Sequence, residues 1–243
     1  MKKMKIDFVI PIYNEEKVLK NSICKLRKYL IDNVKDNWLI VIVENGSSDK
    51  SLEIAENLSK KYNKIDFIHI DRKGRGYALK YVLENSKADI CLYMDVDLST
   101  GLSAIQEAVL SMKKGYDLVI GSRYLNNSKV ERSVKRLVLS KGYNLLVWFL
   151  FRTKIRDLQC GFKAVNQKII KEVLPKIKSK EWFFDTELII LSEIKGYKIK
   201  EIPVSWNENK DSKVKIIKTI KEYIFNSIKL KRKINNESCI NKP

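Results

Sequence analysis

Short apolar runs alternate with helical patterns through the first hundred residues of the chain. Four runs have the length and composition of buried strands: 6–12, 39–43, 66–70 and 89–94. Between them, apolar residues recur at three- and four-residue steps, as Ile23, Leu26 and Leu30 do. Strand and helix alternating at this spacing predict parallel βαβ units with right-handed crossovers. We therefore expect an α/β fold with a mostly parallel sheet flanked by helices.

A polar loop follows each of the four predicted strands, at 13–16, 44–49, 71–76 and 95–100. In open α/β sheets the ligand site lies off the carboxyl ends of the strands, so these loops are expected to converge on one cleft. In the last loop, Asp95 and Asp97 directly follow the strand. Such a pair suits Mg²⁺ or Mn²⁺, which prefer oxygen ligands and leave positions open for phosphates. A helix-capping or solvated acidic pair is the alternative.

Several other chemistries are excluded or disfavoured. His69 is the only histidine, so a multi-histidine metal site is impossible, and any catalytic triad would need this residue from an apolar run. The four cysteines form no CxxC pair, and we expect reduced, mostly buried thiols. The loop 72–76 matches no P-loop, and Leu79 occupies the last position of the dinucleotide fingerprint. The sequence thus argues against an ATPase or a dehydrogenase.

The net charge of +19 favours polyanionic partners, which include nucleic acid, anionic membranes and phosphorylated substrates. The apolar run 145–151 is shorter than the roughly 20 residues that span a bilayer, and the N-terminal apolar stretch is too short for a signal peptide. The segment 214–234 has apolar residues at helical spacing among lysines, which predicts a helix lying on an anionic membrane surface. A helix that packs on the core with a solvated lysine face is the alternative.

Eight segments, in order along nearly the whole chain, closely resemble family 2 inverting glycosyltransferases with the GT-A (Rossmann-like) fold. Within that family they look like polyprenyl-phosphate sugar synthases, meaning the dolichyl-phosphate glucose and mannose synthases. The segments are IPIYNEE (10–16), VENGSSD (43–49), KGRGYALK (73–80), DVDLST (95–100), GSR (121–123), DLQCGFKA (157–164), WFFDTEL (182–188) and EIPVSW with SKVK (201–215). The resemblance implies a GT-A domain at 1–211 and a basic amphipathic interfacial tail at 212–243.

The resemblance also implies an activity, which is metal-dependent transfer of a hexose, with inversion, to a polyprenyl or dolichyl phosphate. The implied donor is a nucleotide-sugar of the UDP-glucose or GDP-mannose type, and the implied cofactor is Mg²⁺ or Mn²⁺. We expect a peripheral enzyme on the cytoplasmic face of a membrane, with a membrane-anchor protein as a possible partner and no nucleic acid partner.

Site residues carry over position by position. The nucleotide-sugar is expected to contact Pro11, Tyr13, Glu15, Glu44, Lys73, Asp95, Val96 and Asp97. The metal is assigned to Asp95, Asp97 and Ser99, and the acceptor phosphate to Arg123, Arg136, Ser140 and Lys213. The candidate catalytic residues are Asp97, Arg123, Arg136, Asp185 and Lys213.

Two positions depart from the family pattern. Glu44 stands where the family usually carries Asp, which leaves the choice of base open. Ser99 replaces the Gln that mannose synthases often carry, which weakens a mannose assignment.

Asp185 admits more than one role. In many inverting transferases an Asp deprotonates a sugar hydroxyl, but a lipid phosphate is already anionic and needs no such base. Asp185 is therefore expected to bind sugar hydroxyls or to orient basic residues, unless the acceptor is a glycan or glycolipid hydroxyl. An acidic pair with Glu187 that caps a helix is a further alternative. A non-enzymatic membrane- or nucleic-acid-binding module also fits the charge, although the intact acidic pair argues against it.

Overall fold

The computed structural model describes residues 3–131, 134–207 and 216–240. The described strands are β1 (Lys5–Ile12), β2 (Asn37–Glu44), β3 (Ile65–His69), β4 (Ile90–Tyr93), β5 (Leu118–Ser122), β6 (Lys129–Glu131), β7 (Lys163–Asn166), β8 (Ile199–Pro203) and β9 (Ser205–Asn207). The described helices are α1 (Leu19–Asn33), α2 (Ser51–Lys61), α3 (Arg75–Asn85), α4 (Ala104–Lys113), α5 (Val134–Phe151), α6 (Gln167–Glu172), α7 (Phe184–Ile194) and α8 (Ile216–Ile240).

Seven strands form one twisted sheet in the order β3-β2-β1-β4-β7-β5-β8. Every pairing is parallel except the two made by β7, so the prediction of a mostly parallel α/β sheet is confirmed. β7 runs antiparallel to both of its neighbours, β4 and β5, although α5 precedes it in the chain. Its register sets Lys163 opposite Tyr93. The start of β7 therefore lies beside the end of β4, where the acidic loop begins.

The core has two layers, one on each face of the sheet. Phe8 and Ile10 of β1 pack with α1 and α4 on one face, while Val9 packs with α3 and α7 on the other. Because helices cover both faces, the central strands contain continuous apolar runs, such as Phe8–Ile10 of β1, rather than an alternating pattern. This arrangement explains why the strand runs are so clear in the sequence.

Residues 124–136 are a polar, basic stretch of the sequence, but they are not all loop. The segment contains β6, which pairs with β9, and the first turn of α5. Thr100 of the acidic loop bridges to Trp206 of β9. The two short strands were missed because three-residue strands show too little periodicity to be read from sequence.

The C-terminal helix α8 packs on the body of the protein through one face. The Tyr223 ring lies 4.8 Å from that of Tyr143 in α5, and Leu230 is also buried. For this face the alternative of a core-packing helix is confirmed. The other face exposes three large apolar side chains: Ile224, Phe225 and Ile228. Within the described ranges no helix combines the length and the apolar character needed to cross a bilayer.

Candidate active site

The loops after β1 and β2 are tied together by their own polar side chains. The Asn14 backbone N–H donates to Ser47 Oγ at 2.9 Å, and the Ser48 N–H donates to Asn14 Oδ1 at 2.8 Å. The Glu15 N–H donates to Ser51 Oγ at 2.7 Å. Asn14 has a φ of 55°, a left-handed conformation that Asn tolerates better than most residues. These bonds bring two of the predicted loops to one end of the sheet, as expected.

The expected nucleotide contacts lie at this end of the sheet with different degrees of exposure. Pro11 is buried at the end of β1 and Val96 is buried in the acidic loop, whereas Tyr13 and Glu15 are half-buried. The Lys73 ammonium group lies 4.0 Å from the centre of the Tyr13 ring, a cation–π contact. The structure thus brings Tyr13 and Lys73 together, and their contact with a nucleotide stays a prediction.

Glu44 is fully buried, and its carboxylate is already satisfied within the protein. One oxygen accepts from the Ser47 N–H and the other contacts His69 Nδ1, both at 2.5 Å. From the sequence, His69 was expected only as a residue of an apolar strand, and its contact with Glu44 was not predicted. Because Glu44 has no exposed surface, a direct bond from its carboxylate to a base would require neighbouring groups to move, and that role stays a prediction.

The acidic pair is held in a tight turn. Asp97 accepts from the Ser99 N–H at 3.0 Å and from the Ser99 hydroxyl at 2.6 Å. Leu98 between them has a φ of 53°, and its N–H donates to the Asp95 carbonyl at 3.1 Å. A non-glycine residue in this region costs on the order of 1 kcal/mol and is found mostly at functional sites. Ser99 therefore orients the Asp97 carboxylate.

Asp95 is held between the guanidinium of Arg75 on one side and the backbone of Gly161 on the other. Arg75 Nη2 donates to Asp95 Oδ1 at 3.0 Å. A Cβ atom at position 161 would lie 1.9 Å from Asp95 Oδ2, so only glycine fits beside this carboxylate. Burial raises the pKa of the Asp95 carboxyl, with Arg75 opposing that shift and Asp97 adding to it.

Asp185 lies at the centre of a buried charge network. It accepts from Arg75 Nη1 at 2.7 Å and from the Tyr93 hydroxyl at 2.6 Å, and Lys163 Nζ lies 2.9 Å away. Burial by itself would raise the pKa of Asp185, but Lys163 and Arg75 outweigh it and hold the pKa below its ordinary value. Asp185 is thus an ionised carboxylate enclosed by two cations. Tyr93 and Lys163 were missed from the sequence, although a lysine in a short buried strand was an available signal.

The basic residues expected at the acceptor phosphate are only partly described. Arg123 pairs with buried Asp157 through Nε at 2.7 Å and Nη2 at 2.8 Å, and its side chain is 7% exposed. It also stacks on Trp206, 5.3 Å from the ring centre, which links it to the acidic loop through β9. Ser140 is buried, and its hydroxyl bonds to that of Tyr124. The side chain of Arg136 and the whole of Lys213 lie outside the described residues.

The donor set at the acidic pair fits a hard divalent cation that substrate helps to bind. The described residues contain no group of three His, Cys, Asp or Glu side chains suited to a metal. Mg²⁺ and Mn²⁺ do not need such a cage, since one or two carboxylates suffice when phosphates and water complete the shell. Asp95 and Asp97 would supply those carboxylates. Ser99, bonded to Asp97, would act beside them, and its direct ligation stays a prediction.

Comparisons with known proteins identify the family of this chain. The profile described as glycosyl transferase family 2 matches residues 7–174. The glycosyltransferase AglD of Haloferax volcanii is 32% identical over 220 residues, which cover 89% of this chain but 35% of that protein. A dolichyl-phosphate beta-glucosyltransferase of Trichomonas vaginalis is 32% identical over 228 residues, which cover 89% of this chain and 70% of that protein. The chain therefore spans about a third of one relative and most of the other.

Solved structures show the same fold at low sequence identity. Glucosyl-3-phosphoglycerate synthase of Mycobacterium tuberculosis, in complex with Mn²⁺, UDP and phosphoglyceric acid, superposes with a TM-score of 0.71 at 14% identity, over 94% of this chain and 78% of that one. The mannosyltransferase PcManGT of Pyrobaculum calidifontis, in complex with GDP-Man and Mn²⁺, gives 0.59 at 16% identity, over 87% and 59%. These likenesses confirm the GT-A fold. The chain belongs to glycosyl transferase family 2, with relatives of the dolichyl-phosphate sugar synthase type.

Proposed function

We propose that this glycosyltransferase transfers a hexose, in the first instance glucose, from a nucleotide-sugar to dolichyl phosphate or another polyprenyl phosphate, with inversion. The observation that carries the proposal is the acidic pair at the end of β4, held by Arg75, Gly161 and Ser99 in one orientation. The names of the relatives support glucose and a dolichyl phosphate acceptor.

On the donor side, Asp95 and Asp97 would hold Mg²⁺ or Mn²⁺, which supplies charge neutralisation for a diphosphate leaving group. Tyr13 and Lys73 would contact the nucleotide from the neighbouring loops. UDP-glucose is the leading donor, because the relatives are named as glucosyltransferases. GDP-mannose is the second, because Glu44 departs from the usual Asp and leaves the choice of base open. The fixed turn at Asp97 means that the carboxylates need little rearrangement when the donor arrives.

On the acceptor side, a phosphate oxygen would attack C1 of the hexose while the bond from C1 to the diphosphate oxygen breaks. The electron pair of that bond leaves with the nucleoside diphosphate, and no proton has to be removed from the attacking oxygen. Arg136 and Lys213 are proposed to bind the incoming phosphate, with Arg123 and Ser140 beside them. Charge-assisted hydrogen bonds from arginine suit a phosphate group.

Asp185 fits an orienting role better than the role of a general base. A base for a glycan hydroxyl needs a free oxygen and a pKa near the working pH. Asp185 is 4% exposed, accepts from both Arg75 and Tyr93, and has a lowered pKa. No observation therefore favours the alternative in which a glycan or glycolipid hydroxyl is the acceptor.

We also propose that the face formed by α5 and α8 contacts the membrane that carries the acceptor. Six exposed apolar side chains define this α5–α8 face: Leu145, Trp148, Phe149, Ile224, Phe225 and Ile228. Two cations stack on aromatic rings of α5, with Arg152 5.4 Å from the Trp148 ring and Lys231 5.8 Å from the Phe151 ring. Exposed apolar side chains rimmed by cations are typical of helices in an anionic bilayer interface. We accordingly propose a peripheral protein on the cytoplasmic leaflet.

The test is a transfer assay with purified protein. UDP-glucose, UDP-GlcNAc and GDP-mannose are each incubated with a short polyprenyl phosphate, in Mg²⁺, in Mn²⁺ or in EDTA. We expect glucosyl-phosphate lipid from UDP-glucose, little product in EDTA, and none from Asp97→Asn. No product from any donor would overturn the proposed activity, and undiminished transfer in EDTA would overturn the metal requirement. A parallel arm with a glycolipid alcohol would overturn the phosphate acceptor if it were the better substrate.

A further inference from the structure

A cleft lies at the opposite end of the sheet from the acidic pair. It has a volume of about 400 Å³ and is formed by the starts of β1 and β2, the second half of α1 and the turn before β3. β1 is eight residues long, so roughly 25 Å separates this cleft from the loops at the carboxyl ends of the strands. A ligand in the cleft would therefore bind apart from the candidate active site.

Four cations from separate parts of the chain line the cleft: Lys3, Arg27, Lys35 and Lys64. None of them forms an ion pair with a residue that the structure describes. Asp36, the one carboxylate among the described residues that line the cleft, is bonded instead to Lys113 Nζ at 2.6 Å and to the Met4 N–H at 3.1 Å. Burial by itself would raise the pKa of Asp36, but these two bonds and the charges of Lys113 and Lys3 hold the pKa below its ordinary value. The negative charge of Asp36 is thus already balanced, and the cleft is left strongly positive.

Arg27 has hydrogen-bond donors that the protein leaves unused. Its guanidinium lies 4.4 Å from the centre of the Tyr62 ring and makes no hydrogen bond to any described residue. Nε is buried, whereas the two terminal amino groups reach the surface at the cleft. Two amino groups of one guanidinium match the geometry of two oxygens of the same anion, and such bonds are charge-assisted.

Aromatic rings restrict two of the cations before any ligand binds. Lys64 Nζ lies 4.4 Å from the centre of the ring of Trp38, which is buried in the wall of the cleft. Tyr62 restricts Arg27 by the same kind of cation–π contact. An anion bound between these two side chains would therefore cost less side-chain entropy than one bound by freely moving lysines.

We propose that this cleft is a second anion site, which binds a phosphate-bearing ligand independently of the transfer reaction. A phosphate monoester carries about two negative charges and three acceptor oxygens, which suit a guanidinium beside several ammonium groups. The volume also lies within the range of about 300–1,000 Å³ that is typical of small-molecule sites. A soluble phosphate ester and a phospholipid headgroup share this chemistry, and binding experiments distinguish these two sources.

The first test follows the indole N–H resonance of Trp38 in wild-type protein labelled with ¹⁵N-tryptophan. The chain has four tryptophans, and Trp38→Phe assigns the resonance. Pyrophosphate is titrated in EDTA, so that no metal ion holds it at the acidic pair, and in about 0.15 M salt, which screens diffuse attraction. In a second arm, nanodiscs of phosphatidic acid in phosphatidylcholine replace pyrophosphate. A saturable shift with pyrophosphate identifies a soluble ligand, and a shift with the nanodiscs only identifies a lipid headgroup. No shift in either arm would overturn the site.

The second test removes two of the cations. Arg27→Gln combined with Lys64→Gln should weaken the binding of the ligand found in the first test by tenfold or more, since each change removes a charged hydrogen bond. Lys25→Gln combined with Lys87→Gln is the matched control, because it makes the same change in charge at two exposed lysines outside the cleft. The control should bind within twofold of wild type. An equal loss in both double variants would show a response to net charge alone and would overturn the site. Sugar transfer is measured separately, so its failure would overturn the proposed function and leave this site standing.

Discussion

Asp185 lies 2.7 Å from Nη1 of Arg75, and the same guanidinium reaches Asp95 with Nη2 at 3.0 Å. Arg75 thereby joins the buried carboxylate of α7 to the acidic loop after β4. Breaking a buried ion pair by removing one partner leaves a charge without compensation, which is more costly than never having built the pair. The network is therefore a structural element of the candidate site.

Asp185→Asn is expected to lower the free energy of unfolding by about 3–5 kcal/mol, because Lys163 and Arg75 lose their shared anion. Urea denaturation at pH 7 measures this. Glu56→Gln is the control, since it removes an exposed ion pair with Lys60 and should cost at most about 0.5 kcal/mol. An equal, small effect of both substitutions would contradict the structural role of the network.

The difference in stability between wild type and Asp185→Asn is expected to depend on pH. The pKa of Asp185 is lowered in the folded state, so its stabilising contribution is complete above the unfolded pKa of about 3.9 and is lost as pH falls through the folded value. The stability gap between wild type and Asp185→Asn should be constant from pH 5 to 7 and shrink below about pH 4. A gap that instead widened on acidification would show that Asp185 is not held as an anion.

Gly161→Ala is expected to abolish metal binding without unfolding the protein, because the new Cβ atom would collide with the Asp95 carboxylate. Electron paramagnetic resonance of Mn²⁺, titrated in the presence of UDP, measures the loss. Gly142→Ala is the control, as a Cβ atom there meets nothing within 4 Å in the exposed part of α5. It should bind Mn²⁺ normally and gain up to about 1 kcal/mol in stability. Normal Mn²⁺ binding by Gly161→Ala would show that Asp95 is not a ligand.

Arg123→Lys should cost about 1.5–3 kcal/mol in stability, because an ammonium group cannot reproduce the bidentate bond to buried Asp157. If Arg123 also binds the acceptor phosphate, the KM for polyprenyl phosphate should rise while the Kd for the donor stays unchanged. Thermal unfolding and steady-state kinetics separate the two roles. Unchanged stability would contradict the pairing with Asp157. An unchanged KM for the acceptor would show that Arg123 has a structural role only.

Replacing Phe149 and Phe225 together by Ser is expected to weaken binding to vesicles of phosphatidylglycerol and phosphatidylcholine by tenfold or more, since each ring is 67% exposed on the α5–α8 face. Vesicle co-sedimentation at fixed salt measures this. Leu110→Ser changes an apolar residue on α4 that is 56% exposed, and it should leave vesicle binding intact. If the double variant bound vesicles as strongly as wild type, the α5–α8 face would not be the surface that contacts the membrane.

Much of the fold was predictable because each element carries its own local pattern. The apolar runs that form β1, β2 and β4 are buried on both faces of the sheet. Consecutive apolar residues therefore mark these strands in the sequence. The loops at their carboxyl ends follow from the topology alone. The pair of Asp95 and Asp97 was identified for the same reason, since it directly follows one of these runs.

The partners of those carboxylates were not predictable from the same patterns. Arg75, Tyr93, Lys163 and Asp185 come from α3, β4, β7 and α7, and nothing local links them. Only the antiparallel insertion of β7 between β4 and β5 brings Lys163 and Gly161 to the acidic loop. His69 beside Glu44 is a similar case, created by the parallel register of β2 and β3.

The sequence by itself determined the class of fold, the position of the acidic pair and the exclusion of any multi-histidine site, because these depend on composition and on short-range periodicity. Only the tertiary structure decided which charges are free and which are bound to one another. It converted Asp185 from a candidate base into the anchor of Arg75, and it showed Arg123 in a buried pair. The physical reason is that a charge takes its role from the groups within a few ångströms, and those groups are distant in sequence.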